Sequence, residues 1–273
     1  MTSPLDSALA LHLAQFPRLY DLDTYDLVED VQLYRDFARR TGGPVLEIGC
    51  GTGRGALPLA RDGHEVVGLD IAPAMLDLAR AKAIAGGLAE RLTLVEADAR
   101  QFALAREFAL ALVALNSFMH FVADGDPQRV LRCIHRHLRP DGLLVLDLPN
   151  PEPMLLGESG GQIVHEWTRA GEEPGGLVMK LRSQRLDVAR QLLELLLMFD
   201  EIGPDRQMRR TVLEFELRYF HPREIQSLLR ECGFAVENVY GSYYLAPFEP
   251  DSPKMILVSR PRAKTSRGSR PAV

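Results

Sequence analysis

The amino-acid sequence predicts an α/β fold, a doubly wound and mostly parallel sheet with helices on both faces. Nearly unbroken apolar runs recur at Val45–Ile48, Val66–Asp70, Leu92–Asp98, Phe108–Asn116 and Leu143–Asp147. Segments with helical patterning, residues 53–61, 73–85 and 126–138, alternate with them. Strands that lack polar alternation and are separated by helices of this length belong to a parallel sheet covered on both sides.

Ahead of this core, residues 1–43 are expected to form a helical lid. Ser3 can cap a helix over residues 3–16, Pro4 suits its first position, and Leu5, Leu9, Leu13 and Phe16 share one face. A second helix is expected over residues 27–40, stopped by Gly42-Gly43. The sheet core then spans residues 44–148, with Arg139-Pro140-Asp141-Gly142 read as the turn into its fifth strand. Residues 149–220 leave this rhythm. Leu177–Val188, Leu192–Ile202 and Met208–Phe220 read as strands, with turn signals at Pro174-Gly175-Gly176 and Gly203-Pro204-Asp205. In the last strand Leu213, Phe215, Leu217 and Tyr219 alternate with Glu214, Glu216 and Arg218. The expectation is a small antiparallel β insertion above the carboxyl ends of the parallel strands, covering the acceptor. Residues 221–261 supply a last helix, begun by His221-Pro222-Arg223-Glu224, and two strands, Phe234–Gly241 and Lys254–Arg260, joined by a Pro-rich loop. Residues 262–273 hold four basic residues and no acid, and read as a disordered basic tail.

The chemistry concentrates where the first strand ends. Glu47-Ile48-Gly49-Cys50-Gly51-Thr52-Gly53 places three glycines at every second residue after a buried strand. Such a turn lets backbone come close to a ligand. The dinucleotide fingerprint spaces its glycines differently, as G-x-G-x-x-G. A carboxylate two residues before the first glycine also repels a pyrophosphate and suits a cationic amino-acid end, which favours S-adenosylmethionine over NAD. Asp70 closes the second strand, where an acid accepts hydrogen bonds from ribose hydroxyls, and Asp98 follows the third.

In this order and spacing the residues resemble the class I S-adenosylmethionine-dependent methyltransferases, in particular the small-molecule type that includes amino-sugar and glycine N-methyltransferases. The likeness spans residues 20–148 and, less sharply, 220–260. It implies a seven-stranded sheet ending in an antiparallel hairpin, with S-adenosyl-L-methionine as cofactor. It implies cofactor contacts from Glu47, Gly49, Cys50, Gly51, Gly53, Asp70, Ile71, Asp98, Ala99 and Asn116. By the same likeness Tyr20, in Leu19-Tyr20-Asp21, reaches over the cofactor from the lid, although Tyr25-Asp26 repeats the dipeptide and the choice between the two stays open. His120, in the loop after the fourth strand, is the catalytic candidate. An imidazole titrating near neutrality could take the proton that an acceptor amine or hydroxyl must lose.

The remaining signals are weaker. Cys133, His135 and His137 are spaced two apart on a helix, and positions two apart point to opposite sides, so no metal site is expected. Arg182, Arg185, Arg190, Arg209, Arg210 and Arg218 could hold an anionic acceptor, but intermixed acids favour a solvated face. The run Leu192–Phe199 is apolar on both faces, one of which could cover the site and the other a second subunit of a homodimer. A net charge of −5 offers no basic field for nucleic acid. No membrane span is expected, and three scattered cysteines fit a cytoplasmic protein. The function expected is methyl transfer to N or O of a small-molecule acceptor. The alternatives are an NAD-dependent oxidoreductase and a non-catalytic cofactor-binding protein.

Overall fold

The computed structural model describes residues 17–156, 160–171 and 173–262; the expected helix at 3–16 and nearly all of the basic tail lie outside them. Two helices, α1 (Pro17–Thr24) and α2 (Glu29–Thr41), precede β1 (Val45–Ile48). The chain then alternates: α3 (Ala56–Arg61), β2 (Val66–Asp70), α4 (Pro73–Ala85), β3 (Leu92–Glu96) and β4 (Phe108–Val113). A 3₁₀ turn at Ser117–His120, α5 (Asp126–His137) and β5 (Leu138–Pro149) follow. Beyond α6 (Pro151–Leu156) come β6 (Val164–Ala170), β7 (Leu177–Asp187), β8 (Leu192–Ile202) and β9 (Met208–Arg218). The chain returns through α7 (Pro222–Glu231), β10 (Phe234–Tyr240) and β11 (Lys254–Pro261).

The large sheet has the order β10-β11-β5-β4-β1-β2-β3. Its strands β1 to β5 pair in parallel, and β11 is antiparallel to both neighbours. The reversal of strand order falls between β1 and β4, where ligands bind at the carboxyl ends of such sheets. β1, β2 and β4 are buried at every residue, as their unbroken apolar sequences require. One apolar cluster lies on each face, with Leu46 and Ile48 of β1 in one and Val45 in the other. α2 stops at Gly42, whose φ of 80° no β-branched or bulky residue adopts cheaply, and its N–H bonds the Ala38 carbonyl.

β5 starts earlier than the sequence suggested. Leu138 already pairs with Phe108, and Leu143 pairs with Leu110. The segment 139–142 therefore bulges from the ladder, so the turn chemistry of Pro140 and Gly142 survives inside a strand. The second sheet has the order β6-β7-β8-β9, antiparallel throughout. Its first strand escaped sequence reading because Val164–Ala170 is mostly exposed and polar, as an edge strand can be. α1 escaped too, being two turns long and amphipathic only in its tertiary setting. Leu193 and Leu217 of the second sheet pack with Phe118 and Met119 in one cluster, so the insertion stands over the loop after β4.

Candidate active site

Loops leaving β1 to β4 and helix α1 enclose a cavity of about 150 Å³ at the carboxyl ends of the strands. Gly49 and Gly51 form its floor with φ of 68° and 53°. A β-carbon at Gly49 would lie 3.0 Å from the Ser117 side chain, and one at Gly51 would lie 3.2 Å from Met75. Both the left-handed backbone and the close approach select glycine here.

Asp70, 7% exposed, pins this floor. Its Oδ2 accepts the Gly51 N–H at 2.7 Å and its Oδ1 accepts the Ala72 N–H at 2.9 Å. The Ile71 N–H is a third backbone donor, which leaves the carboxylate one acceptor position for a hydroxyl in the cavity. Burial raises the Asp70 pKa, and these backbone donors oppose the rise. Ile71, Ala99 and Asp98 line the cavity as well. The Asp98 carboxylate is already engaged: Arg100 binds it at 2.8 Å and reaches Asp126 at 2.9 Å with its other nitrogen. The backbone N–H of Arg100 also bonds Asp98 Oδ1 at 2.8 Å, an Asx-turn contact.

Four of the expected cofactor residues do not line the cavity. Glu47 projects to the opposite face of β1, beneath Gly55, where a β-carbon would come within 2.4 Å of Oε1. Burial pushes its carboxyl up to about 8, against the opposing pull of Arg54 and of a hydrogen bond from the Ala56 N–H. Its Oε2 has no partner among the described residues. The Cys50 thiol packs on Gly68, which could not carry a β-carbon without meeting sulfur at 2.8 Å, and burial raises its pKa. Gly53 abuts Leu57 rather than the cavity. Asn116 turns its Oδ1 to Lys254 at 3.2 Å.

The lid tyrosines separate. Tyr20 lines the cavity, and burial pushes its phenol up to about 12. Tyr25 is 68% exposed and lies against the Arg169 guanidinium, outside the cavity. The residues beside Tyr20 fasten α1 on two sides. Asp21 accepts the Thr52 hydroxyl at 2.5 Å and pairs with Lys82 at 2.5 Å, which ties α1 to the glycine loop and α4. Asp23 accepts the Trp167 indole N–H at 2.8 Å and pairs with Lys180 at 2.7 Å, which ties it to the second sheet. Leu19 packs with Val178, Leu197, Phe199 and Leu213 on that sheet's inner face.

His120 lines the cavity opposite these groups, its ring edge-on to Phe215 of β9 at 5.9 Å. Its nitrogens have no hydrogen-bond partner among the described residues. Burial alone lowers its pKa to about 4, so it does not titrate near neutrality as its sequence context suggested. The insertion arginines stay outside the cavity, each facing an acid: Arg182 with Glu166 at 2.5 Å, Arg185 with Glu194 at 2.7 Å, Arg210 with Asp200 at 2.6 Å, Arg218 with Glu224 at 3.0 Å. Arg209 pairs with Glu201 at 3.0 Å and Arg190 approaches Glu216 at 3.6 Å. Among the described residues no group of three potential metal ligands forms. Arg100, Ser117, Leu115 and Phe121 also line the cavity and were not foreseen. Asp21, which fastens α1 beside the cavity rather than lining it, had a legible signal as the second half of the Tyr-Asp dipeptide.

Residues 45–142 match the family model of a methyltransferase domain. The cypemycin N-terminal methyltransferase of a Streptomyces species is 27% identical over 263 residues, covering 89% of this chain and 97% of its own. The ubiquinone biosynthesis O-methyltransferase of Ruegeria pomeroyi is 36% identical over 148 residues, 52% of this chain and 55% of that protein. In structure, the chain is similar to an S-adenosylmethionine-dependent methyltransferase from Clostridium acetobutylicum. The TM-score is 0.75 at 18% identity, covering 91% of this chain and 98% of the other.

Proposed function

Since the chain is a class I S-adenosylmethionine-dependent methyltransferase, we propose that it methylates a nitrogen, rather than an oxygen, of a small-molecule acceptor. The family assignment removes the oxidoreductase and non-catalytic alternatives. The cavity suits the cofactor: glycine backbone that tolerates no β-carbon, the remaining acceptor position of Asp70 and the apolar Ile71 and Ala99 match a ribose and an adenine. S-adenosylmethionine supplies an electrophilic methyl group on a sulfonium there. Tyr20 and the β4 loop exclude water from it, and holding both reactants in line lowers much of the barrier.

The observation that carries the choice of nitrogen is His120. It faces the cavity without a carboxylate partner and is a weak base. A hydroxyl acceptor needs a strong base to remove its proton. A neutral amine attacks with its own lone pair and sheds its proton afterwards, so the imidazole need only accept an N–H hydrogen bond and orient the nucleophile. The cypemycin enzyme, an N-terminal methyltransferase by name, supports this reading because its match spans nearly the whole chain. The O-methyltransferase matches about half of it. The pairing of these six insertion arginines with acids argues against an anionic acceptor. For Glu47 and Asn116 the proposal is indirect: they shape the loops beneath and beside the cofactor. Three free, buried cysteines support a reducing cytoplasm. No described helix is long and apolar enough to cross a membrane. For the run Leu192–Phe199 a homodimer stays the proposal, although Met198 is buried within the single chain; a monomeric mass in light scattering would remove it.

The test is transfer of labelled methyl from S-adenosylmethionine to matched amine and alcohol pairs, including dipeptides and amino sugars. Label is expected on nitrogen. With His120→Ala, turnover should fall about 10- to 100-fold, the scale of a misplaced reactant, with S-adenosylhomocysteine affinity unchanged. Label on oxygen, or undiminished turnover in the variant, contradicts the reading.

A further inference from the structure

Behind the site lies a buried carboxylate with no direct access to it. Asp147, fully buried near the end of β5, collects donors from four other parts of the chain. Its Oδ2 accepts the hydroxyls of Tyr34 from α2 at 2.8 Å and of Tyr243 from the β10–β11 loop at 2.9 Å. Its Oδ1 accepts from Lys254 of β11 at 3.2 Å, and Lys254 also donates to Asn116. The last donor is the backbone N–H of Leu115, 3.3 Å from Oδ2 and 3.4 Å from the Tyr34 hydroxyl.

That contact falls on unusual backbone. Leu115 and Asn116 have consecutive positive φ angles of 45° and 66°. Asn tolerates this region; for Leu, whose β-carbon crowds the following carbonyl there, it is strained. Both strained residues are held by Asp147, Leu115 through the carboxylate and Asn116 through its N–H to the Asp147 carbonyl at 3.2 Å. The next four residues form the 3₁₀ turn that ends in His120, and Leu115, Ser117 and His120 all face the cavity. Residues kept in sparsely populated conformations persist only when their surroundings over-determine them.

We propose that Asp147 is a positioning residue: its carboxylate holds Leu115 in the left-handed conformation that aims the Ser117–His120 turn into the cavity. It acts through Leu115 and touches neither reactant. Tyr34, Tyr243 and Lys254 complete the hold by satisfying the buried charge, which would be costly left unpaired. The phenols of Tyr34 and Tyr243 are raised in pKa, first by burial and then by the Asp147 charge. The inference rests on the reading of His120 as a site residue, but its test needs no acceptor.

The experiment follows the histidine ¹³Cε1–¹H resonances of the full-length protein through a pH titration. Calorimetry with S-adenosylhomocysteine is run alongside. In the wild type His120 stays neutral down to about pH 5, in line with its depressed value. Asp147→Asn should raise its midpoint by a unit or more as the turn leaves its dry setting. The other histidines should stay unmoved and the affinity for S-adenosylhomocysteine within threefold. Leu115→Gly added to that variant should return the midpoint toward the wild-type value, because glycine takes the left-handed conformation without help. A purely structural role would lower the melting temperature and leave every midpoint in place, with no rescue by glycine. Should Asp147→Asn fail to fold, Tyr34→Phe removes one donor to the same oxygen and should shift the midpoint by a smaller amount. An unmoved His120 in a folded variant overturns the proposal. Failure of the wild type to bind S-adenosylhomocysteine would instead count against the cofactor site and leave the Asp147 result standing.

Discussion

The large sheet presents backbone to the cavity, whereas the small sheet acts on it through side chains and through a helix that it carries. On the first side, Gly49 and Gly51 lie bare and Asp70 is aimed by two N–H groups from its own neighbourhood. On the second side, Asp23 of α1 is held by Trp167 and Lys180, more than 140 residues away. His120 meets that side through Phe215. In the proposed function the cofactor side is therefore built into local sequence. The proposed acceptor side exists only once distant segments have met, so changes there should alter closure and rate before they alter cofactor affinity.

The sharpest break of this contrast is Asp70→Ala. It deletes the expected ribose acceptors and the anchor of Gly51, and charged hydrogen bonds are worth about 1.5–3 kcal/mol each. Affinity for S-adenosylhomocysteine should drop by at least about 100-fold in calorimetry. Gly51→Ala should cost about tenfold, the equivalent of 1–2 kcal/mol of left-handed strain, together with the Met75 contact. Equal affinity in either variant would show that the floor does not hold the ligand.

On the other side, Asp23→Ala should leave that affinity within a few-fold. Trp167 is the only tryptophan and donates to Asp23, so its emission should shift to the red and respond less to added ligand. An unchanged spectrum would mean that α1 does not depend on this contact.

The smallest effects are in stability against pH. The Glu47 carboxyl rises from 4.5 to about 8 on folding, so its contribution is full below pH 4.5 and is lost as pH rises through 8. The His120 imidazole falls from 6.5 to about 4, so its contribution is full above pH 6.5 and is lost as pH falls toward 4. The two slopes oppose each other between pH 4.5 and 6.5, leaving Glu47 alone above that window. Glu47→Gln should flatten the decline in melting temperature between pH 6.5 and 8, and His120→Gln should flatten the acid limb. Parallel curves for wild type and variant would contradict these assignments.

The same contrast explains what could be read from sequence. The parallel strands and the glycine turn are written in consecutive residues, because apolar continuity and positive φ are local requirements. The locations of Asp70, Asp98 and the last two strands followed from order along the chain. The sequence could not show that Glu47 turns under Gly55 or that Arg100 already occupies Asp98, since both depend on which face of a strand or turn a side chain takes. Nor could it separate Tyr20 from Tyr25, five residues apart in the same dipeptide. Only the docking of α1 between Thr52 and Lys180 sends one inward and leaves the other exposed. Strand β6 and the role of Asp147 were illegible for the same reason: their partners are remote.

The most direct measurement is calorimetric titration of the purified protein with S-adenosylhomocysteine and, separately, with NADH. The account predicts one micromolar site for the first and no heat for the second. Binding of NADH, or of neither ligand, would contradict it.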